Sequence, residues 1–360
     1  IVILGGILPT TVPEFALKKT NADIAVKGEA ELTIVKLLNS LASNPADLSR
    51  VPGIVYRDED GQFIDTGPAE IEEDLNKILR PAYELFPMNR FVEQHFYPHD
   101  QGQRLADIVT SRGCPFNCNF CYCVSKPRYR KIGEVIEELI YLKKEYNING
   151  VNFLDENFVL NKNRIQEFLD GVKTHNLDLK FTATARASVI DKEIVKMLYQ
   201  AGCRAINIGL ESGDQQMLDR MHKKTTVEQI TQAIETARRG GLFVEYPCMV
   251  GNIGETEQSM RKTFALLKKL AWGDFQCRIP FFCTPFPGTE IYDYALEHSL
   301  ISGIDDFYEK FTSFNDLSVN LSAMPNQDFI TLFNELAEDL RKYYAEQLPS
   351  WKPSYKLKEY

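Results

Sequence analysis

From residue 105 onward the chain alternates short apolar runs with longer stretches in which apolar residues recur every three to four positions. The first pattern marks buried strands and the second amphipathic helices. Runs at 105–109, 151–154, 179–184, 204–208, 243–250 and 275–282 read as strands. Helical periodicity follows each of them, at 133–146, 162–174, 191–201, 215–221 with 226–239, 256–270 and 290–297. A parallel neighbour requires a crossover connection, so repeated strand-then-helix units build a parallel sheet. Six of them predict an α/β fold with an open, partial (β/α)6 barrel over 104–300.

Residues 1–66 carry a shorter pattern of the same kind: strands at 1–4 and 23–26, helices at 13–19 and 28–41, and a hairpin of 54–57 with 63–65 across Asp58-Glu59-Asp60-Gly61. That suits half of a Rossmann-like parallel α/β unit. The chain opens on Ile1 and enters a strand and the Gly5-Gly6 turn at once, which reads as the middle of a domain, so further residues are expected upstream. Over 67–103, Pro68, Pro81, Pro87 and Pro98 stiffen a linker. Beyond 300 the pattern weakens until 326–347, where Phe329, Leu332, Phe333, Leu336, Leu340 and Tyr343 recur at helical spacing. Residues 301–360 therefore read as a helical cap and a polar tail.

Composition narrows the class without naming it. With 360 residues, 44% hydrophobic and 25% charged, the chain can bury a large core and a smaller neighbour. No apolar run reaches the ~18 residues of a membrane span. A net charge of −9 offers no electrostatic footprint for nucleic acid. The basic run Lys126-Pro127-Arg128-Tyr129-Arg130-Lys131 is the local exception, read as a solvated loop edge or as a site for an anionic substrate. Eight cysteines in a chain with no signal-peptide pattern fit a reducing compartment, and a cytoplasmic location is expected.

Chemistry concentrates in Thr110-Ser111-Arg112-Gly113-Cys114-Pro115-Phe116-Asn117-Cys118-Asn119-Phe120-Cys121. Three thiols spaced by three residues and then two cannot fill a four-thiolate cage. Two explanations stay open on the residues alone. One is an iron–sulfur cluster with an iron left for a small molecule; the other is a zinc knuckle completed by Cys123 or a remote His. A disulfide fits the compartment less well.

The C-x3-C-x2-C spacing, with Phe120 before the last Cys, resembles the signature of the radical S-adenosylmethionine (radical SAM) superfamily. Gly209-x-Glu211-Ser212-Gly213, the Gly251-x-x-Gly254-Glu255-Thr256 turn and Thr284-Pro285-x-Pro287-Gly288-Thr289 also resemble this group. The resemblance implies a [4Fe-4S] cluster on Cys114, Cys118 and Cys121. It also implies S-adenosylmethionine on the open iron, and reductive cleavage to a 5′-deoxyadenosyl radical. Reactive groups of β/α barrels sit at the strand C-termini and in the following loops, where these motifs fall. By resemblance, Asp155 meets the methionine amino group, although the family's Gly-Gly-Glu wording is absent. Arg186 would take the carboxylate by two parallel hydrogen bonds, Glu211 and Ser212 the ribose, and Phe120, Met249, Val250 and Gly251 the adenine. Structural alternatives accompany each: Arg186 paired with Asp155 or Glu211, Glu211 and Ser212 capping a helix, and Gly254-Glu255-Thr256 as a helix start. Cys203, Cys248, Cys277 and Cys283 read as small buried hydrophobes, and Cys123 is given no role.

Gly5-Gly6-x-x-Pro9-Thr10 followed by Gly28-Glu29-x-Glu31-x-Thr33 resembles the second half of the cobalamin-binding domain that precedes the barrel in one radical SAM subfamily. Residues 79–87 resemble its bridge to the barrel. This implies cobalamin contact at Gly5, Gly6 and Gly28, against plain turn chemistry for the same glycines. The subfamily's Asp-x-His-x-x-Gly segment would lie before Ile1. The expectation is a radical SAM enzyme that transfers a methyl group to an unactivated carbon of a small molecule or carries out a related radical rearrangement, with a reductant such as flavodoxin or ferredoxin as partner. An oxidative cyclase of tetrapyrrole type shares the architecture and stays open. A methylthiotransferase would want a second cysteine triplet, whereas residues 1–100 hold no Cys. A non-catalytic metal-binding protein is the alternative outside enzymes.

Overall fold

The computed structural model describes residues 1–43, 47–93, 104–122, 126–271 and 279–347. Cys123, Cys277 and the first part of the expected sixth strand lie outside them. Four strands form an N-terminal sheet in the order β1 (Ile3–Leu4), β2 (Ile24–Val26), β3 (Ile54–Arg57), β4 (Phe63–Asp65). The first pair is parallel and the next two pairs antiparallel, so only β1 and β2 keep the Rossmann-like arrangement. Helices α1 (Ile7–Thr11), α2 (Pro13–Thr20) and α3 (Glu31–Leu41) connect them. After the prolines comes the short α4 (Met88–Val92). The proline-rich stretch is anchored: Tyr83 donates to Glu138 at 2.6 Å, and the Asn76 carboxamide oxygen accepts the Lys131 N–H at 2.7 Å.

The barrel begins with β5 (Leu105–Ile108). A two-rung hairpin of β6 (Ser111–Arg112) and β7 (Arg128–Tyr129) follows, then α5 (Ile132–Tyr146) and β8 (Gly150–Phe153). Helix and strand then alternate through α6 (Lys162–Thr174), β9 (Lys180–Ala185), α7 (Lys192–Ala201), β10 (Cys203–Ile208), α8 (Gln215–Arg220), α9 (Val227–Arg239) and β11 (Phe243–Glu245). The five strands pair in parallel in chain order, β5-β8-β9-β10-β11. Helix starts follow local chemistry. Asn161, Asp191 and Asp214 accept N–H groups of the first turns of α6, α7 and α8, and Thr226 with Gln229 forms a capping box on α9.

The expected fifth strand, 243–250, divides. β11 ends at Glu245, and β12 (Met249–Val250) pairs with β13 (Phe281–Phe282) in a separate parallel ladder. Pro247 lies at the break and has no N–H for a ladder. Its carbonyl instead accepts from Leu210 at 2.9 Å and Glu211 at 3.0 Å. α10 (Glu257–Leu270), α11 (Glu290–Glu297), α12 (Ile304–Lys310) and α13 (Asn326–Gln347) complete the chain. α13 lays Phe329, Leu332, Phe333, Leu336 and Leu340 into the main core; Tyr344 is fully buried, and Tyr343 only partly.

One face of the five-stranded sheet is wholly apolar. Ala106, Ile108, Val151, Phe153, Phe181, Ala183, Ile206, Ile208 and Val244 pack against the helices. Phe158 anchors that layer, stacked on Phe153 at 4.3 Å and edge-on to Phe168 at 5.7 Å and Phe181 at 5.8 Å. Among the described residues, no helix is long and apolar enough to cross a membrane. Phe158→Ala leaves a cavity inside an aromatic cluster and is expected to cost about 3–5 kcal/mol, read from the urea midpoint at unchanged m-value.

Candidate functional site

The cysteine loop grows from the β6/β7 hairpin at the C-terminal edge of β5. Gly113 takes the left-handed region (φ 83°) that turns the chain out of β6. Cys114 and Cys118 are half-buried and Cys121 is exposed, with the Cys121 N–H donating to the Cys118 carbonyl at 3.0 Å. What fixes the loop is Asn119, which is buried. Its N–H donates to the Met221 carbonyl at 3.2 Å and its Nδ2 to the Arg220 carbonyl at 3.1 Å. Its carboxamide exchanges hydrogen bonds with that of Asn252 at 3.2 and 3.3 Å, and its carbonyl accepts from Ile291 at 3.3 Å. One amide thus ties the cysteines to the segments after β10, β12 and β13. The next residue, Phe120, packs in one apolar cluster with Met249, Ile253 and Phe286.

Arg186, at the end of β9, lies against this loop. Its guanidinium stacks 3.5 Å from the Phe116 ring centroid, places Nη1 3.9 Å from Cys118 Sγ, and donates through Nη2 to the Lys223 carbonyl. Among the described residues it has no carboxylate partner, so the structural pairing with Asp155 or Glu211 does not form. Glu211 instead accepts from Lys223 Nζ at 2.5 Å, in a buried pair beside the Phe120 ring. Glu211 holds φ at 60°, a strained setting for a non-glycine residue of the kind that gathers at functional sites. A side chain at Gly209 would strike both the Glu211 carboxylate and Lys223 Nζ and would displace that pair.

Two other expected contacts are drawn into the scaffold. Asp155, buried, accepts from the Thr110 N–H at 2.6 Å, Thr110 Oγ1 at 2.5 Å and Ser111 Oγ at 2.6 Å. It locks the hairpin base to the end of β8 rather than facing a ligand. The fully buried Ser212 meets Thr263 Oγ1 at 3.1 Å and accepts the Asp214 N–H, while the cap of α8 is Asp214 and neither Glu211 nor Ser212. Of the adenine candidates, Phe120 and Met249 stand together, Val250 faces the core, and Gly251 (φ 88°) abuts Phe329 of α13. Glu255 is buried just before the Thr256 capping box of α10 and accepts the Gly251 N–H.

The face of the sheet turned away from the helices is polar. Asp107, Asn152, Thr182, Thr184, Asn207 and Glu245, together with apolar groups of Leu154, Ala205 and their neighbours, line a cavity of about 240 Å³. Asn152 donates to Asp107 at 3.0 Å and accepts from Thr182 at 3.2 Å. Closed (β/α)8 barrels fill this space with branched apolar side chains. Here it is left as an open trough.

The N-terminal glycine turns are open. Gly5 has no atom within 4 Å of a would-be Cβ, Gly6 (φ 106°) likewise, and Gly28 (φ 66°) meets only Ala69. Thr10 joins the two turns, accepting the Gly28 N–H at 2.9 Å and donating to the Gly6 carbonyl at 2.6 Å. Ile7 and Leu8 stand exposed beside them. α1 reaches the barrel rim at Gly288, where an added Cβ would lie 2.8 Å from both Thr11 and Tyr122.

Within the basic run Lys126, Tyr129 and Lys131 are exposed, whereas Arg128 pairs with Glu29 and Arg130 with Glu138. Cys203, Cys248 and Cys283 are buried, and burial pushes the Cys203 thiol up to about 12 and the Cys283 thiol higher still. The readings missed in the sequence were Asn119, Asn252 and Lys223. His222 and Lys224, both at positive φ, flank Lys223 in a tight turn that no local pattern announces.

Among the described residues no three Cys, His, Asp or Glu side chains lie close enough to share one metal ion. A tetrahedral zinc, with Zn–S near 2.3 Å, needs sulfurs about 3.8 Å apart. The thiols therefore do not close round a single ion. A cluster carries its own sulfides and takes each cysteine on a different iron, a donor set that three soft thiolates on one loop fit.

The profile of the Radical SAM superfamily matches residues 108–267. An uncharacterized methyltransferase of Pyrococcus horikoshii is 31% identical over 317 residues, 87% of this chain and 66% of that protein. The anaerobic magnesium-protoporphyrin IX monomethyl ester cyclase of a Synechocystis species is 28% identical, over 84% of this chain and 59% of that one. The chain thus spans roughly three-fifths to two-thirds of these relatives. The radical SAM methyltransferase TsrM from Kitasatospora setae, solved with tryptophan and a SAM analogue, superposes with a TM-score of 0.66 at 20% identity. The match covers 83% of this chain and 59% of that one. TsrM has also been solved with cobalamin and a [4Fe-4S] cluster bound.

Glu255 offers a test of the site's electrostatics. Burial, against the Gly251 N–H, pushes its carboxyl from 4.5 up to about 8. The folded protein then holds a proton that the unfolded chain releases, so stability contributed here falls as pH rises from about 4.5 through 8. Glu255→Gln cannot ionise. Its melting temperature relative to wild type is expected to improve between about pH 5 and about pH 8.5, followed by calorimetry.

Proposed function

This chain belongs to the radical SAM superfamily, and from that premise we propose that it is part of an enzyme that uses a [4Fe-4S] cluster, S-adenosylmethionine and cobalamin to methylate a carbon of a small polar molecule. The observation that carries the reading is a three-cysteine loop at the barrel rim with an arginine beside it that no carboxylate neutralises. Held there by Cys114, Cys118 and Cys121, a cluster with one open iron would supply the electron for reductive cleavage of S-adenosylmethionine.

The chain's own residues bind and orient. Cys114, Cys118 and Cys121 hold the cluster, and Asn119 fixes where they stand. Arg186, stacked on Phe116, takes the methionine carboxylate with a planar two-pronged donor. Glu211, steadied by Lys223, accepts from the ribose hydroxyls, and Phe120 with Met249 offers the adenine an apolar ledge. Asp155 serves the scaffold and leaves the amino group to other acceptors of the rim. Residues 1–66 act as the C-terminal part of a cobalamin-binding domain. Support comes from the open turns at Gly5, Gly6 and Gly28 and from exposed Ile7 and Leu8, on an edge that reaches Tyr122 next to Cys121. A flavodoxin- or ferredoxin-like protein is the proposed electron donor.

The relative named a cyclase favours a second reading, oxidative ring closure on a tetrapyrrole. Against it stands the size of the trough, about 240 Å³, below the roughly 300–1,000 Å³ of pockets for drug-sized ligands.

Anaerobic reconstitution decides the chemistry. The protein is expected to retain about four irons and four sulfides and to release 5′-deoxyadenosine from S-adenosylmethionine on reduction. Cys118→Ala should retain neither metal nor activity. Tight zinc with no nucleoside release would overturn the proposal. Arg186→Met should keep the iron and weaken S-adenosylmethionine binding about 10–100-fold, measured by equilibrium dialysis.

A further inference from the structure

Arg112 and Arg128 sit directly opposite each other on the hairpin that carries the cysteines. Like charges in register across an antiparallel pair destabilise it, and the contacts of Asp155 and Arg164 at the Thr110–Arg130 end of the stem do not neutralise them. Both guanidinium groups converge on one carboxylate from the N-terminal sheet's side. Glu29 accepts from Arg112 Nη1 at 2.7 Å through one oxygen and from Arg128 Nη2 through the other. Glu31 adds a bond from Arg112 Nη2 at 2.5 Å, and Arg128 Nη1 donates to the Glu72 carbonyl at 2.5 Å. The Arg128 side chain is 7% exposed and that of Glu29 17%, so water screens little of this.

We propose that Glu29, with Glu31 in support, is a positioning residue for the cysteine loop: it is the counter-ion that lets two opposed arginines close the base of the hairpin from which Cys114, Cys118 and Cys121 project. The Gly28-Glu29-x-Glu31 motif then serves the iron site rather than only the corrin turn beside it. Arg112 stands two residues before Cys114, so a base that opens carries the first thiol away from the other two. The N-terminal unit thereby sets the spacing of the thiols even without touching them. Gly28, at φ 66°, turns the chain after β2 so that Glu29 reaches this position.

The proposal rests on the cluster-binding reading only in its spectroscopic arm. In the protein without iron, hydrogen–deuterium exchange is followed for backbone amides of residues 110–122 and 128–131 in wild type, Glu29→Gln, Glu31→Gln and the double variant Glu29→Gln/Arg128→Gln. Glu29→Gln is expected to speed exchange in these segments at least tenfold, with α6 and α9 unchanged, and Glu31→Gln by less. Removing one of the two like charges should slow exchange again in the double variant, which loss of packing alone would not do. Unchanged exchange, acceleration spread over the whole chain, or a double variant faster than the single one would each overturn the clamp. After anaerobic reconstitution, the reduced Glu29→Gln protein should show a broadened or shifted electron paramagnetic resonance signal at lower iron content. A wild-type protein that takes up no cluster would sink the functional reading and leave the exchange result to judge the clamp by itself. A cluster signal identical in wild type and Glu29→Gln would overturn the clamp and leave the functional reading intact.

Discussion

A single buried amide decides where the chemistry sits. Asn119 lies between the second and third cysteines, and all of its hydrogen-bonding groups are spent on segments far away in sequence. A buried carboxamide is costly unless it is satisfied, so its partners must arrive together. The loops after β10, β12 and β13 can meet there only if the strands have already been laid in order. The far end of the cysteine loop is therefore held by the completed barrel, as its base is held by the hairpin.

The sheet performs two incompatible tasks on its two faces. Strand alternation gives the helices a continuous apolar surface and leaves amides, hydroxyls and carboxylates on the other side. A barrel closed on such a polar lining would bury it without partners. Opening the barrel, with β12 and β13 in a ladder of their own, resolves the conflict and provides the trough. Pro247 is the residue at which the opening occurs, and its carbonyl holds the strained backbone of Glu211. The breach in the sheet and the placement of a site carboxylate are one feature.

Much of this was legible in the sequence because its causes are local. Helix starts at Asn161, Asp191, Thr226 and Thr256 follow from side chains that accept the backbone N–H three residues on. The cysteine triplet declared itself by spacing, and Arg186 by its place at a strand end. What escaped notice depends on distant partners. Ser212 is consumed by Thr263, 51 positions away, and Asp155 by Thr110, 45 positions away. Neither partnership leaves a trace in the residues around it. Pro247 was visible, yet the apolar run on both sides of it argued for one continuous strand. Glu29 and Glu31 were read through the turn they follow, and their role as counter-ions needed the hairpin, itself unseen, to bring two arginines face to face.

Gly288 sets a mechanical limit. A Cβ there would lie 2.8 Å from both Thr11 of α1 and Tyr122, closer than real side-chain carbons come. Any larger residue at 288 would therefore prise α1 off the barrel rim, so the seating of the N-terminal unit depends on one missing methyl group.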